Sequence, residues 1–183
     1  MTARIQVRRD HAAAWSAVNP TLATGEFGYE TDTGVTKMGD GETAWASLPV
    51  LFSSFSSYTP TVAQGTNTDV SKTVTYSKYT RNGAAVSFTA SLALAAAGDD
   101  SNAVTITLPT EAVTSGLVVG QGYYWDASGN RYPSLVYLDS TTTAVLLRSD
   151  TATSTQTVAV GVDPNIATAS GDIISFSCVY EAV

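Results

Sequence analysis

The chain is short of charge, of cysteine and histidine, and of long apolar runs. Of its 183 residues only 14% are charged, three of them lysine, where a soluble domain averages about 25%. The single cysteine, Cys178, excludes an internal disulfide framework and a thiolate metal cage. One histidine, His11, removes most metal-site and catalytic-triad combinations. No apolar stretch approaches the roughly 20 residues a membrane helix needs. Arg4, Arg8 and Arg9 lead into no apolar stretch, so no secretory signal is expected. A net charge of −7 and a pI near 4.4 cannot neutralise a phosphate backbone. These absences predict a soluble, non-enzymatic protein with no nucleic-acid or membrane partner, no cofactor and no metal.

What the chain does have is 27 threonines and 20 serines. β-Branched threonine suits a pleated, half-exposed surface, so the composition predicts a mainly β protein. A mass of 19.0 kDa is enough for one ordinary domain, or one domain with an arm.

Residues 1–50 hold four of the nine basic residues and two of the three tryptophans. The one helix expected runs from Asp10, as N-cap, to Val18, and Asn19-Pro20 ends it. Short extended pieces at Glu26–Glu30 and Val35–Met38 are separated by turn chemistry at Asp32-Thr33-Gly34 and Gly39-Asp40-Gly41. With so few aliphatic residues, this module is expected to pack on something else. Residues 51–58 read as a linker lying along a surface.

From residue 59 to 183 the pattern has period two. Val86, Phe88, Ala90, Leu92 and Leu94 share one strand face, as do Val104, Ile106 and Leu108. Leu92–Ala97 has helical propensity, but its neighbours argue for strand. Further strands are expected at Leu117–Val119, Leu135–Leu138, Ala144–Leu147 and Thr157–Val160. The last places Ile174, Phe176, Cys178 and Tyr180 on one side. With turns at Asn82-Gly83, Ser128-Gly129-Asn130 and Ser170-Gly171-Asp172, about eight antiparallel strands predict a jelly-roll-like β-sandwich.

Most candidate chemistry fails on its spacing. Gly39-Asp40-Gly41-Glu42-Thr43-Ala44 spells a dinucleotide fingerprint, but Trp45 and Pro49 follow where a long helix is required. Asp126, Ser128 and Asn130 open like a calcium loop, yet Arg131 stands where glycine is needed and Tyr137 where glutamate is needed. Adjacent Asp99 and Asp100 cannot converge on one bond as a glycosidase pair must. His11 has no G-x-S-x-G serine elbow to serve. Cys178 reads as a small buried hydrophobe. Tyr123, Tyr124, Trp125 and Tyr132 around one turn could stack on sugars, with core and edge packing as the plainer account.

Arg9-Asp10, Trp15, Asn19-Pro20, Leu22, Gly25-Glu26, Gly28, Glu30-Thr31-Asp32-Thr33-Gly34, Lys37, Gly39-Asp40-Gly41, Trp45 and Leu48-Pro49 form a spaced pattern. In this pattern residues 8–49 resemble the N-terminal module of tailed-bacteriophage virion proteins, including tail fibres and the major tropism determinant family. Residues 58–183 are more loosely similar to a β domain of phage tail appendages and head decorations. That similarity rests on Tyr58-Thr59-Pro60-Thr61, Tyr79, Arg81, Gly83, Leu108-Pro109, Gly171-Asp172 and Tyr180-Glu181.

The resemblance implies a virion structural protein whose first module attaches it and associates as a homotrimer. With no heptads or repeats to form a shaft, the expectation is a capsid decoration (cement) protein on the virion exterior, made in the host cytoplasm. Its partner would be the major capsid protein. Trp15, Phe27, Tyr29 and Trp45 would anchor it, and Arg4, Arg8 and Arg9 would pair with acidic capsid residues. The alternative is a tail appendage, held by tail or baseplate proteins and contacting a host surface glycan through the Tyr123–Tyr132 region. A tail-borne glycan hydrolase is the weaker third reading.

Overall fold

The computed structural model describes residues 6–149, 157–162 and 165–183. The chain divides into two compact units. One comprises the residues up to Phe55 together with Thr80–Ala85; the other comprises Ser56–Tyr79 and Val86–Val183.

The first unit is built on a four-stranded sheet in the order β1 (Arg8–Asp10), β2 (Phe27–Glu30), β3 (Thr36–Met38), β4 (Val50–Phe52). β1 runs parallel to β2, and the other pairs are antiparallel. A seven-residue helix, α1 (Ala12–Val18), lies in the connection between β1 and β2. It starts later than the sequence suggests. Asp10 belongs to β1 and its carboxylate accepts the His11 N–H, leaving His11 as an N-cap with no side-chain cap. The first helical N–H, of Ala12, goes instead to Asp32 Oδ1 at 2.9 Å, twenty residues away. That hydrogen bond is the main reason the Asp32 carboxyl sits below its ordinary pKa. Asn19 closes the helix in the left-handed region (φ 42°), a role asparagine tolerates well.

Trp15 and Trp45 stack at 4.0 Å between ring centroids and, with Leu22 and Leu48, form the buried core of this unit among the described residues. Gly28 on β2 leaves room for the stack, since a Cβ there would lie 2.4 Å from the Trp45 ring. The polar groups around it are paired. Trp45 Nε1 donates to Glu30 Oε1 at 3.1 Å, Trp15 Nε1 to the Tyr29 carbonyl, and Lys37 Nζ to the Trp45 carbonyl at 2.8 Å. Burial lowers the Lys37 pKa, with Glu30 acting the other way.

Gly39-Asp40-Gly41 is a turn, as its local chemistry suggests. The Asp40 carboxylate accepts the N–H groups of Glu42 and Thr43 and the Thr43 hydroxyl. These donors, the hydroxyl first, bring its pKa from 3.8 to about 2. A depressed carboxylate pKa stabilises the fold above the unfolded value and loses that contribution as pH falls through the folded one. The turn is therefore expected to hold above pH 3.8 and to loosen as pH drops through about 2. An NMR titration of the Asp40 carboxyl, following the Thr43 amide, reads this directly; a midpoint at 3.8 would contradict it.

The second unit is one long curled sheet, mainly antiparallel. Its strands are β5 (Ser56–Ser57), β6 (Val62–Gln64), β7 (Lys72–Asn82), β8 (Ala85–Leu94), β9 (Val104–Thr107), β10 (Val118–Trp125), β11 (Arg131–Leu138), β12 (Thr143–Ser149), β13 (Thr157–Ala159) and β14 (Ile173–Glu181). They lie in the order β5-β7-β8-β14-β10-β11-β12-β9-β6, with β13 on β12. The two edge strands, β5 and β6, are neighbours in sequence, and the connection between them reaches Thr107 on β9. Tyr58 Oη is 2.8 Å from the Thr107 hydroxyl, which also accepts the Thr61 N–H. The sheet thus curls round until its ends approach.

The alternation read from the sequence sets the inside of this curl. Val86, Phe88, Ala90, Leu92 and Leu94 are buried along β8, and Ile174, Phe176, Cys178 and Tyr180 along β14. Leu92–Leu94 is strand, and the ladder ends there. Phe88 meets Phe176 edge-to-face at 5.2 Å. Burial pushes the Cys178 thiol up to about 12, which fits an inert core side chain. Gln64 is buried with every side-chain contact satisfied. Its amide donates to the carbonyls of Asn102 and Ile166 and accepts the Thr168 N–H.

Candidate functional site

The four-stranded sheet has one covered face and one bare face. Alternation along β2 turns Gly28 and Glu30 toward the tryptophan stack and Phe27 and Tyr29 to solvent. Register extends the bare face sideways. Tyr29 lies beside Arg9 and Thr36, Phe27 beside Met38, and Thr36 beside Phe52. Phe27, Tyr29, Met38 and Phe52 are 45%, 38%, 43% and 56% exposed, a dense apolar cluster for so small a sheet.

The residues expected to anchor the protein therefore separate. Phe27, Tyr29 and Arg9 share the bare face. Trp15 and Trp45 are buried and hold the opposite face together. Arg8 sits over the Trp15 ring at 5.1 Å and reaches Glu26 at 4.0 Å. Arg4 lies outside the described residues. Met38 and Phe52 were not visible as surface anchors. Met38 follows an inward-facing lysine, which disguises the alternation, and Phe52 stands in a stretch that reads as polar linker.

The Tyr123–Tyr132 cluster also divides, because β10 and β11 form a hairpin whose side chains alternate. Tyr124 points inward, fully buried, and donates its hydroxyl to the Asp172 carboxylate. Burial first, and that carboxylate second, push its phenol above the ordinary value, so it stays a donor. Tyr132 packs at the edge of the core with the Arg148 guanidinium 5.3 Å over its ring. Trp125 lies under Arg131 at 5.6 Å. Tyr123 and Trp125 share the outer face of β10, and Tyr123, at 38% exposure, lies beside an open groove. The acidic candidates serve turns. Asp126 accepts the Ser128 N–H and hydroxyl, and Asp99 accepts from Thr66.

Comparison with known proteins bears on the first unit. Residues 5–43 match the family model described as the major tropism determinant N-terminal domain. Over 48 residues the chain is 42% identical to the hyaluronoglucosaminidase of Streptococcus pyogenes phage H4489A, a match covering 26% of this chain and 13% of that relative. No solved structure matches the chain. These matches support a protein of the phage tail-fibre and tropism type.

Proposed function

We propose that the chain is a non-enzymatic structural component of a tailed-phage virion, of the tail-appendage type. Its first unit seats it on the particle and its second is displayed. The observation that carries this reading is the family match on residues 5–43, the segment that contributes Arg9, Phe27, Tyr29 and Met38 to a bare apolar sheet face. Such a face on a small, tryptophan-braced sheet can bury aromatic anchors against a partner without refolding. Tail or baseplate proteins are the corresponding partners.

The test is twofold. Tyr29→Ser combined with Phe52→Ser should lower incorporation into particles by about tenfold or more, since loss of two interface anchors commonly costs that much. The near-ultraviolet circular dichroism of the Trp15–Trp45 stack should be unchanged. Wild-type copy numbers with an intact variant would remove this face from the attachment account.

A second reading, a homotrimeric decoration of the major capsid protein, has one observation in its favour. Among the described residues the α-helix is seven residues long, so no coiled-coil shaft joins the two units. Quantitative mass spectrometry of purified virions separates the readings. A handful to a few dozen copies per particle supports the tail. Hundreds of copies support capsid decoration.

A further inference from the structure

The second unit carries a groove to which virion attachment gives no role. It has a volume of about 580 Å³ and crosses the solvent side of β14, β10 and β11. We propose that it binds a neutral glycan, with Tyr123 as the stacking platform and Gln121, Ser175, Ser177 and Thr89 as the hydrogen-bonding rim. The proposal rests on the displayed-unit reading for its setting on the particle.

Register puts these groups together. Gln121 pairs with Ser177 and Tyr123 with Ser175 across β10 and β14, so all four side chains share the outer face. On the other side Gln121 pairs with Leu135 and Tyr123 with Pro133, giving the groove an apolar flank. Thr89 on β8 continues the row, its hydroxyl 2.9 Å from that of Ser177. All of them stand on strands, which hold side chains more rigidly than loops do. The backing is equally fixed. Between the outward residues of β10 lie Gly120 and Gly122, where a Cβ would come within 2.1 and 2.4 Å of the Ser177 and Ser175 carbonyl oxygens. Only glycine lets β10 lie so close to β14.

The chemistry of the lining selects the ligand. A sugar ring presents a C–H face that packs on an aromatic ring and hydroxyls that need amides and hydroxyls beside it. Tyr123 offers the ring face. The Gln121 amide is exposed and carries no hydrogen bond to another described residue. The Thr89–Ser177 pair presents two hydroxyls already held together. Among the described residues no carboxylate and no lysine lines the groove, and the guanidinium of Arg148, the one cationic residue among them, lies over the Tyr132 ring. On a chain of net charge −7, an acidic polymer would be repelled. A protein partner would favour a wider apolar centre than the flank of Pro133, Leu135 and Leu147 provides.

The full-length protein should be applied to an array of neutral glucan, galactan, mannan and N-acetylglucosamine oligosaccharides, with hyaluronan as the acidic probe. Binding to at least one neutral probe is expected. Tyr123→Ala should weaken it by about tenfold and Gln121→Ala by about threefold, with thermal midpoints unchanged because both side chains are exposed. No neutral probe bound, hyaluronan preferred, or full binding by Tyr123→Ala would each overturn the proposal. A blank array alongside loss of host adsorption by Tyr123→Ala particles would assign the groove to a protein receptor, and the glycan would be wrong. Virion copy number of the same variant judges attachment separately. It should stay at the wild-type level, and a fall would count against the attachment reading while the array result stood.

Discussion

Trp45→Ala is expected to unfold the first unit and to remove the protein from virions. Trp45 is 2% exposed, and among the described residues it shares its buried cluster with Trp15, Leu22 and Leu48, with Val35 packed against them. Truncating a buried tryptophan costs about 3–5 kcal/mol by loss of transfer energy and by the cavity left behind. The same change removes the indole N–H from Glu30 and the ring beneath Lys37, leaving a buried carboxylate and ammonium less well partnered. So few buried side chains give the unit little margin to absorb such a loss. The near-ultraviolet signal of the tryptophan pair should vanish and copy number should fall to background. Retention of both would show that the stack is not what holds the bare face in shape.

Asp172→Ala should produce the second large effect, confined to the other unit. The Asp172 carboxylate is 2% exposed and accepts the Tyr124 hydroxyl, the Ala127 N–H at 2.9 Å and the Ala169 N–H at 2.7 Å. It thereby ties the β10–β11 turn to the loop that enters β14. Alanine leaves the buried Tyr124 hydroxyl and the part-buried Ala127 and Ala169 N–H groups without their acceptor; a buried donor costs about 1–3 kcal/mol when orphaned, and the two that water can reach cost less. Allowing for relaxation and water entry, the loss should be on the order of 3–5 kcal/mol, or about 10–20 °C in thermal midpoint. Tyr124→Phe should cost about 1–2 kcal/mol, because it removes one donor and leaves the two backbone bonds in place. Equal midpoints for wild type and Asp172→Ala would mean that the loops, and not this carboxylate, hold the hairpin.

Asp172 shows where reading the sequence stops. Ser170-Gly171-Asp172 is legible as a turn, and it is one, with Gly171 at φ 96°. That its carboxylate would turn inward to meet a tyrosine 48 residues away depends on which strands become neighbours. Gln64 is the same case, since its partners at Asn102, Ile166 and Thr168 are remote in sequence. Asp32 goes further. It replaces the local residue, Asp10, that helix-capping rules select, because the parallel pairing of β1 with β2 draws Asp10 into a strand and brings Asp32 to the helix start. For the surfaces, alternation puts Phe27 and Tyr29 on one face of a strand without saying which way that face turns. It cannot say that Trp15 and Trp45 stack on each other and leave the surface altogether.

By itself the sequence determined the class of the fold, the inward faces of β8, β9 and β14, the turns, and the likeness of the first unit to a phage tail-fibre module. All of these depend on patterns only a few residues long: period-two alternation, turn chemistry and a spaced motif. Only the tertiary structure decided which aromatic residues are core and which are surface. It alone brought Gln121, Tyr123, Ser175, Ser177 and Thr89 into one groove. Those outcomes depend on strand order and register across a curled sheet. The backbone hydrogen bonds that set them are the same for every residue type, so no local pattern records which strand lies beside which.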